Sequence, residues 1–339
     1  MYTFKGKIIE NPICIHFLCG NKYKRSSNKD KRNIIMNYIN SFKNNYALIL
    51  EKYFKLTDYL DLGFEDLENV ELMVSHYARS IIIIHETNST AGEIALFGSK
   101  EDLKDKMLVI YPPDSLIEVN NVGTFLNEAF FKNDKIISKP YLFDAKLNRR
   151  SYPHVRFYDT FFIDNILPDD FKEMILDFWD SNDIFEYKLS FKKKKYNGSA
   201  LDTYSINNDD KSVRIVLSYD LIMSLIFSLF SNKTLREQFR LFPSVNVICN
   251  LIKNILINTI IHNEGINATD YSVTIEMVDE EDINIPVRFW INIMKAIGLI
   301  KVENGEYVFS HSIDHAFEEY KDLIINTSDK SFFDDYLGE

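Results

Sequence analysis

The chain has 339 residues, 46% hydrophobic and 26% charged, a folded composition with room for two domains that excludes a disordered or fibrous chain. Asp and Glu outnumber Lys and Arg by 50 to 39, a net charge of −11, which argues against coating nucleic acid through overall charge. The average hides a split: residues 1–50 hold nine Lys/Arg against two Asp/Glu, and residues 251–339 hold six against seventeen.

Along the first 135 residues, strand and helix patterns alternate. Ile13 to Leu18 is a short apolar run between Pro12 and Gly20, as a buried strand should be. Lys31 to Asn44 carries Ile34, Ile35, Tyr38, Ile39 and Phe42 at helical spacing, and Tyr46 to Leu50 follows as a second strand. Phe64, Leu67, Val70, Val74 and Tyr77 mark an amphipathic helix. Ile81 to Ile84 is the strongest strand, because four β-branched residues in a row suit a sheet covered on both faces. A helix over Ala91 to Lys104 and a strand over Met107 to Tyr111 complete the series. Such alternation implies an α/β fold with a doubly wound parallel sheet.

Residues 136–235 form a connecting region without a clear pattern, apart from helical stretches at Phe171 to Phe178 and Leu221 to Phe230 and five lysines between Lys188 and Lys195. Over residues 236–312 a helical stripe (Ile248, Leu251, Ile252, Ile255, Leu256) leads to Pro286, a helix over Val287 to Ile297 and Gly298. Asn304-Gly305 then joins two alternating apolar runs, a strong hairpin signal. A helix feeding a hairpin is the layout of a winged helix. Residues 313–339 read as an acidic tail that begins with an amphipathic helix.

The start lacks the apolar core of a signal peptide, and no stretch reads as about 18 uninterrupted apolar residues, so a soluble cytoplasmic chain without a membrane segment is expected. Three cysteines without a CxxC pair predict neither a disulfide framework nor a zinc ribbon. His311 and His315 lie four apart without a third ligand, so no metal site and no cofactor are assigned. GxGxxG, GKS/T, GxSxG and HExxH are absent.

In an open α/β sheet, ligands bind at the carboxyl ends of the strands. Those ends carry Cys19-Gly20 and the segment His85 to Glu93, a small-residue loop entering a helix. With Glu93 in the first turn, the helix N-terminus would favour its ionised form and suit it to nucleophilic attack. Thr90-x-x-Glu93 is equally a capping box, a purely structural role. Both readings stand on the spacing.

Phe17-Leu18-Cys19-Gly20, Ile81 to Ile84 and Ser89-x-x-x-Glu93-Ile94-Ala95-Leu96-Phe97-Gly98 together resemble the nucleoside 2-deoxyribosyltransferase-like superfamily, and most nearly its retron-associated effectors, in which a winged helix follows that domain. The resemblance implies that Glu93 is the nucleophile that attacks the anomeric carbon and displaces the base, with NAD or a related nucleotide as substrate. It further implies substrate contacts from Cys19, Gly20, Ser89 and Gly92. Glu68 would lie at the sugar hydroxyls, Arg32 at a phosphate, and Asn121 in an Asn-x-Gly turn. The transferases follow the glutamate with Leu-Gly-x-Ala, whereas Ala95 and Phe97 are bulkier here, which favours hydrolysis over base exchange. The implied partners are a retron reverse transcriptase and its msDNA/msrRNA, holding the toxin-like effector inactive, with homo- or hetero-oligomers open.

Between Leu251 and Ser312 four basic residues face nine acidic ones, so the winged helix reads as a protein-docking module. Polyanion contact is expected instead at Lys22, Lys24, Arg25, Lys29 and Lys31. A reading from another class is a non-catalytic nucleotide-sensing or scaffolding module that docks proteins through the winged helix.

Overall fold

A computed structural model describes residues 2–21, 30–53, 67–112, 127–131, 136–147, 158–181, 186–195, 201–241, 244–266, 270–277 and 282–326. The chain divides into two compact units: Ile13–Leu60 with Glu65–Ile184, and Met1–Pro12 with Asp61–Phe64 and Phe185–Glu339. Strands are numbered in chain order, β1 (Tyr2–Phe4) and β2 (Lys7–Ile9) belonging to the second unit.

The first unit is built on five parallel strands: β3 (Cys14–Gly20), β4 (Asn45–Leu48), β5 (Ala78–Ile84), β6 (Met107–Tyr111) and β7 (Ile137–Pro140), in the order β4-β3-β5-β6-β7. The mixed α/β architecture expected from the alternating pattern is therefore present. The four isoleucines of β5 lie in the interior of the sheet, Ile81 opposite Phe17 on one side and Met107 on the other, which explains why a polar alternation is missing there. On one face Leu18, Ile82, Ile84, Leu108 and Ile110 pack against Ile35 and Ile39 of the helix Lys31–Ile39 and against Phe171, Ile175, Phe178 and Trp179 of the helix Asp169–Ser181. The alternate residues face the helices Leu67–Tyr77 and Asn88–Gly98, with Phe17 and Phe97 rings 5.9 Å apart.

His16 is fully buried within this sheet. Ser80 Oγ lies 2.7 Å from its Nδ1 and Asn45 Oδ1 2.8 Å from its Nε2, and burial pushes its pKa down to about 3. Beyond the sheet, β8 (Asp144–Leu147) and β9 (Tyr158–Phe161) form an antiparallel pair. Tyr141, Phe143, Phe162 and Phe171 form an aromatic cluster, with ring centroids 4.8–6.3 Å apart.

Sequence alone places a separate connector at 136–235, but the structure distributes it. Its first part supplies β7 and the helix Asp169–Ser181 to the sheet unit, and residues from Phe185 onward join the other unit. That second unit contains β10 (Tyr187–Leu189), paired with β2, and a four-stranded sheet of β11 (Lys192–Lys193), β12 (Thr203–Asn207), β13 (Ser212–Leu217) and β14 (Ser272–Met277). Its central helix, Tyr219–Ser231, puts Phe227 against Trp290, Phe317 and Tyr320 at 4.7–5.0 Å.

The expected helix and hairpin are found, as Asn284–Ala296 followed by β15 (Ile300–Glu303) and β16 (Glu306–Phe309). Asn304 and Gly305 both take positive φ, 52° and 82°, as a two-residue turn matched to strand twist requires. Within the acidic tail, residues 313–326 are folded and start with a short helix, Ile313–Ala316. Ile313, Ala316, Phe317, Tyr320 and Leu323 are buried, and β17 (Ile324–Asn326) pairs with β1.

The helix Val245–Glu264 is long and apolar enough to cross a membrane by length and composition, contrary to the expectation from sequence. Polar residues at Asn250, Lys253, Asn254 and Asn258 break its apolar run, while Ile248, Ile252, Ile255, Leu256 and Ile260 are buried within this unit.

Candidate functional site at the carboxyl edge of the parallel sheet

The strand order reverses between β3 and β5, whose last residues, Gly20 and Ile84, are partners in the sheet. Ligand sites of open α/β sheets lie at such reversals. Three strand ends deliver charged residues here. After β3 comes Arg32, after β4 comes Glu51, and after β5 comes the loop His85–Thr87 and the helix carrying Glu93.

Arg32 sits in the first turn of its helix, and its side chain is 4% exposed. Asp30 caps that helix, accepting from Arg32 N at 3.0 Å, and also takes the guanidinium, from Nε at 3.2 Å and Nη2 at 3.1 Å. Nη1 donates to both carboxylate oxygens of Glu51, at 2.9 and 3.1 Å. Gly20 makes this arrangement possible. A Cβ there would lie 3.3 Å from Ile84 Cβ and 3.4 Å from Arg32 Cδ, at a backbone φ of +152°.

Glu93 lies on the same edge. The helix begins at Asn88, three residues before the start expected from sequence, and Thr87 caps it in a reciprocal pair with Thr90. This overturns two expectations. Thr90 does not pair with Glu93, so the carboxyl has no capping role, and Glu93 stands in the second turn, beyond the reach of the helix end. Its acidity moves opposite to the expected direction. Burial, then the charges of Glu71 and Glu51, push its pKa up to about 8, against the pull of Arg32 and of the Cys19 thiol, which donates a hydrogen bond to it. Oε2 of Glu93 is buried and finds no hydrogen-bond partner among the described residues. Glu71, on the helix Leu67–Tyr77, is pushed up to about 7 by burial and by Glu51 and Glu68. The Cys19 thiol is likewise raised by burial, then by Glu93, Glu71 and Glu51.

Of the residues singled out from sequence, Cys19, Gly20, Arg32 and Glu93 come together. Glu68 is exposed at the start of its helix, and the carboxyl that couples to Glu93 is Glu71, one turn later. Ser89 and Gly92 are exposed on the Glu93 helix, and a Cβ at Gly92 would meet nothing within 4 Å. Asn121 lies outside the described residues. Phe97 is fully buried against Phe17, so its bulk fills the core and does not narrow a substrate pocket. Glu51 and Glu71 were missed. The signal for Glu71 was its position between Val70 and Val74, next to the sheet-facing stripe.

Lys31 requires a correction, because it is not a surface contact for nucleic acid. Its side chain is 5% exposed and pairs at 2.9 Å with Glu86, itself 8% exposed. The ammonium also donates to Thr160 O at 3.0 Å and to Thr160 Oγ1, and lies 4.8 Å from the Phe143 ring centre. Lys22, Lys24, Arg25 and Lys29 lie outside the described residues. Among the described residues no group of three or more His, Cys, Asp or Glu could hold a metal ion.

No curated protein matches the chain. Residues 28–137, about a third of its length, match the family model of the STM3845 retron effector protein. That span contains Arg32, Glu51, Glu71 and Glu93. Over this part the chain is similar to a retron effector, which supports a role as an anti-phage retron effector associated with a retron system.

Proposed function

We propose that the parallel-sheet unit is a nucleoside deoxyribosyltransferase-like N-glycosidase that cleaves the base–sugar bond of NAD or a related nucleotide through Glu93. The observation that carries this reading is a buried carboxyl at the strand-order reversal, with one oxygen unpartnered among the described residues and a second raised carboxyl, Glu71, beside it. Perturbed carboxyls gathered at a ligand-binding edge are a recurrent mark of active sites.

The chemistry follows from those two groups. With a pKa near 8, Glu93 is mainly protonated at neutral pH. A cationic ring such as nicotinamidium favours the carboxylate, so Glu93 releases its proton to water as the ring enters. Carboxylate attack on the anomeric carbon forms an ester, while the electron pair of the C–N bond leaves with the base, which departs neutral. Water then cleaves the ester and regenerates the carboxyl. A neutral base needs a proton to leave, and Glu71, near 7, is suited to supply it.

In the cell the effector would act in the cytoplasm and be held inactive with reverse transcriptase and msDNA. The helix Asn284–Ala296 and the β15–β16 hairpin, read as a winged helix, would dock the protein partner. The raised Glu93 also favours a second reading, a nucleotide-sensing module in which the neutral carboxyl only donates a hydrogen bond. Incubation of the purified chain with NAD and with nucleosides, followed by chromatography for free base, separates the two. Release of base supports the glycosidase, and reversible binding without release supports the sensor.

A further inference from the structure

The two counter-ions of Arg32 are unlike. Asp30 is as buried as the guanidinium, 6% against 4% exposed, and holds Nε and Nη2 while capping the helix. Glu51 is 59% exposed and holds only Nη1. Asp30 is thus a fixture of the fold, whereas Glu51 closes the solvent side of a buried cation with a partly hydrated carboxylate. Lys52, the next residue, lies within electrostatic reach of both Arg32 and Asp30 and adds positive charge to the approach. Among the described residues, Glu71, Glu93 and the Cys19 thiol are further titratable groups coupled to this point.

An arginine nitrogen that donates to both oxygens of a carboxylate can donate to phosphate oxygens in the same way. Exchange of one anion for another leaves Arg32 compensated throughout, so no step exposes an unpaired buried charge. The displaced Glu51 side chain enters water in which it is already more than half immersed.

We propose that Glu51 is an exchangeable stand-in for a substrate phosphate, occupying the Nη1 edge of Arg32 until a phosphate oxygen of an entering nucleotide replaces it. This rests on the reading of the unit as one that acts on nucleotides. Glu51 is then the residue that selects phosphate-bearing substrates, because a ligand without phosphate leaves the Arg32–Glu51 pair closed.

The test is titration of the full-length protein with inorganic pyrophosphate by calorimetry, in the wild type, Glu51→Ala, Glu51→Gln and Arg32→Lys/Glu51→Ala. Removing an exposed competing ion pair is expected to tighten pyrophosphate binding roughly three- to tenfold in Glu51→Ala, with Glu51→Gln between it and the wild type. Arg32→Lys in the Glu51→Ala background is expected to abolish the gain. Affinity in Glu51→Ala and Glu51→Gln equal to or weaker than in the wild type overturns the proposal, as does a gain that survives Arg32→Lys. Because nothing is turned over, the outcome is separate from the glycosidase reading. A pyrophosphate response without base release from any substrate leaves this inference standing and removes that reading, and base release with an unresponsive affinity does the reverse.

Discussion

A carboxyl raised by burial and by like charges works against the fold at neutral pH, and Glu93→Gln is expected to expose that burden. Glu93 moves from the usual 4.5 to about 8 on folding, so the folded state binds its proton more tightly than the unfolded chain. The associated stability is complete below pH 4.5 and drains away as pH rises to about 8. At about 1.4 kcal/mol for each pKa unit, the loss between pH 5 and pH 8 is about 3 kcal/mol. Gln cannot ionise, so the variant should not share it. Urea unfolding at pH 5, 6, 7 and 8 therefore should show the stability difference between Glu93→Gln and wild type shifting in favour of the variant by about 3 kcal/mol across the range. Some residual slope remains from Glu71, which is raised to about 7. A constant offset between the two proteins at all four pH values would refute the argument, since it would mean that Glu93 titrates alike in both states.

Further expectations concern the frame of the site. Lys31→Met leaves Glu86 buried without its cation and should destabilise the protein by about 3–5 kcal/mol, most of which Lys31→Met/Glu86→Leu should restore; denaturant midpoints decide, and equal losses in single and double variants would contradict the pairing. The imidazole of His16, held near pKa 3 by burial, should stay neutral in NMR titration down to about pH 4, and titration near 6.5 would contradict its placement. Stability tied to His16 is present above pH 6.5 and is lost as pH falls toward 3. Gly92→Ala replaces an exposed helical glycine whose Cβ meets nothing within 4 Å, so it should raise stability by about 0.5–1 kcal/mol. A lowered Tm in that variant would show that the space is not open.

The sheet was legible because its evidence is local. The β-branched run Ile81 to Ile84 and the stretch Met107 to Tyr111 announce interior strands without knowledge of their neighbours. By contrast Ile137–Pro140, with Lys139 and Pro140 exposed, lacks an interior pattern because it lies at the sheet edge. The Asp169–Ser181 helix was readable as a helix, but not as part of the sheet's core, since its partners Leu18 and Ile82 are remote in sequence. Glu93 could be singled out from its place after the strongest strand. Its acidity could not be, because Thr87 moved the helix start and because the charges that raise it come from Glu51 and Glu71 on two other segments. Lys31 misled for the same reason. Whether a lysine is solvated or buried against Glu86 and Thr160 is decided by tertiary partners, not by its neighbours in the chain.

The most direct measurement is release of free base from NAD and from nucleotides by wild-type protein and by Glu93→Gln, with folding of both verified by circular dichroism. Base and a hydrolysed sugar product are expected from the wild type, and a loss of on the order of 10³-fold or more in the variant. Full cleavage by Glu93→Gln would contradict the assignment of the nucleophile, and absence of cleavage by the purified wild-type protein would contradict the glycosidase itself.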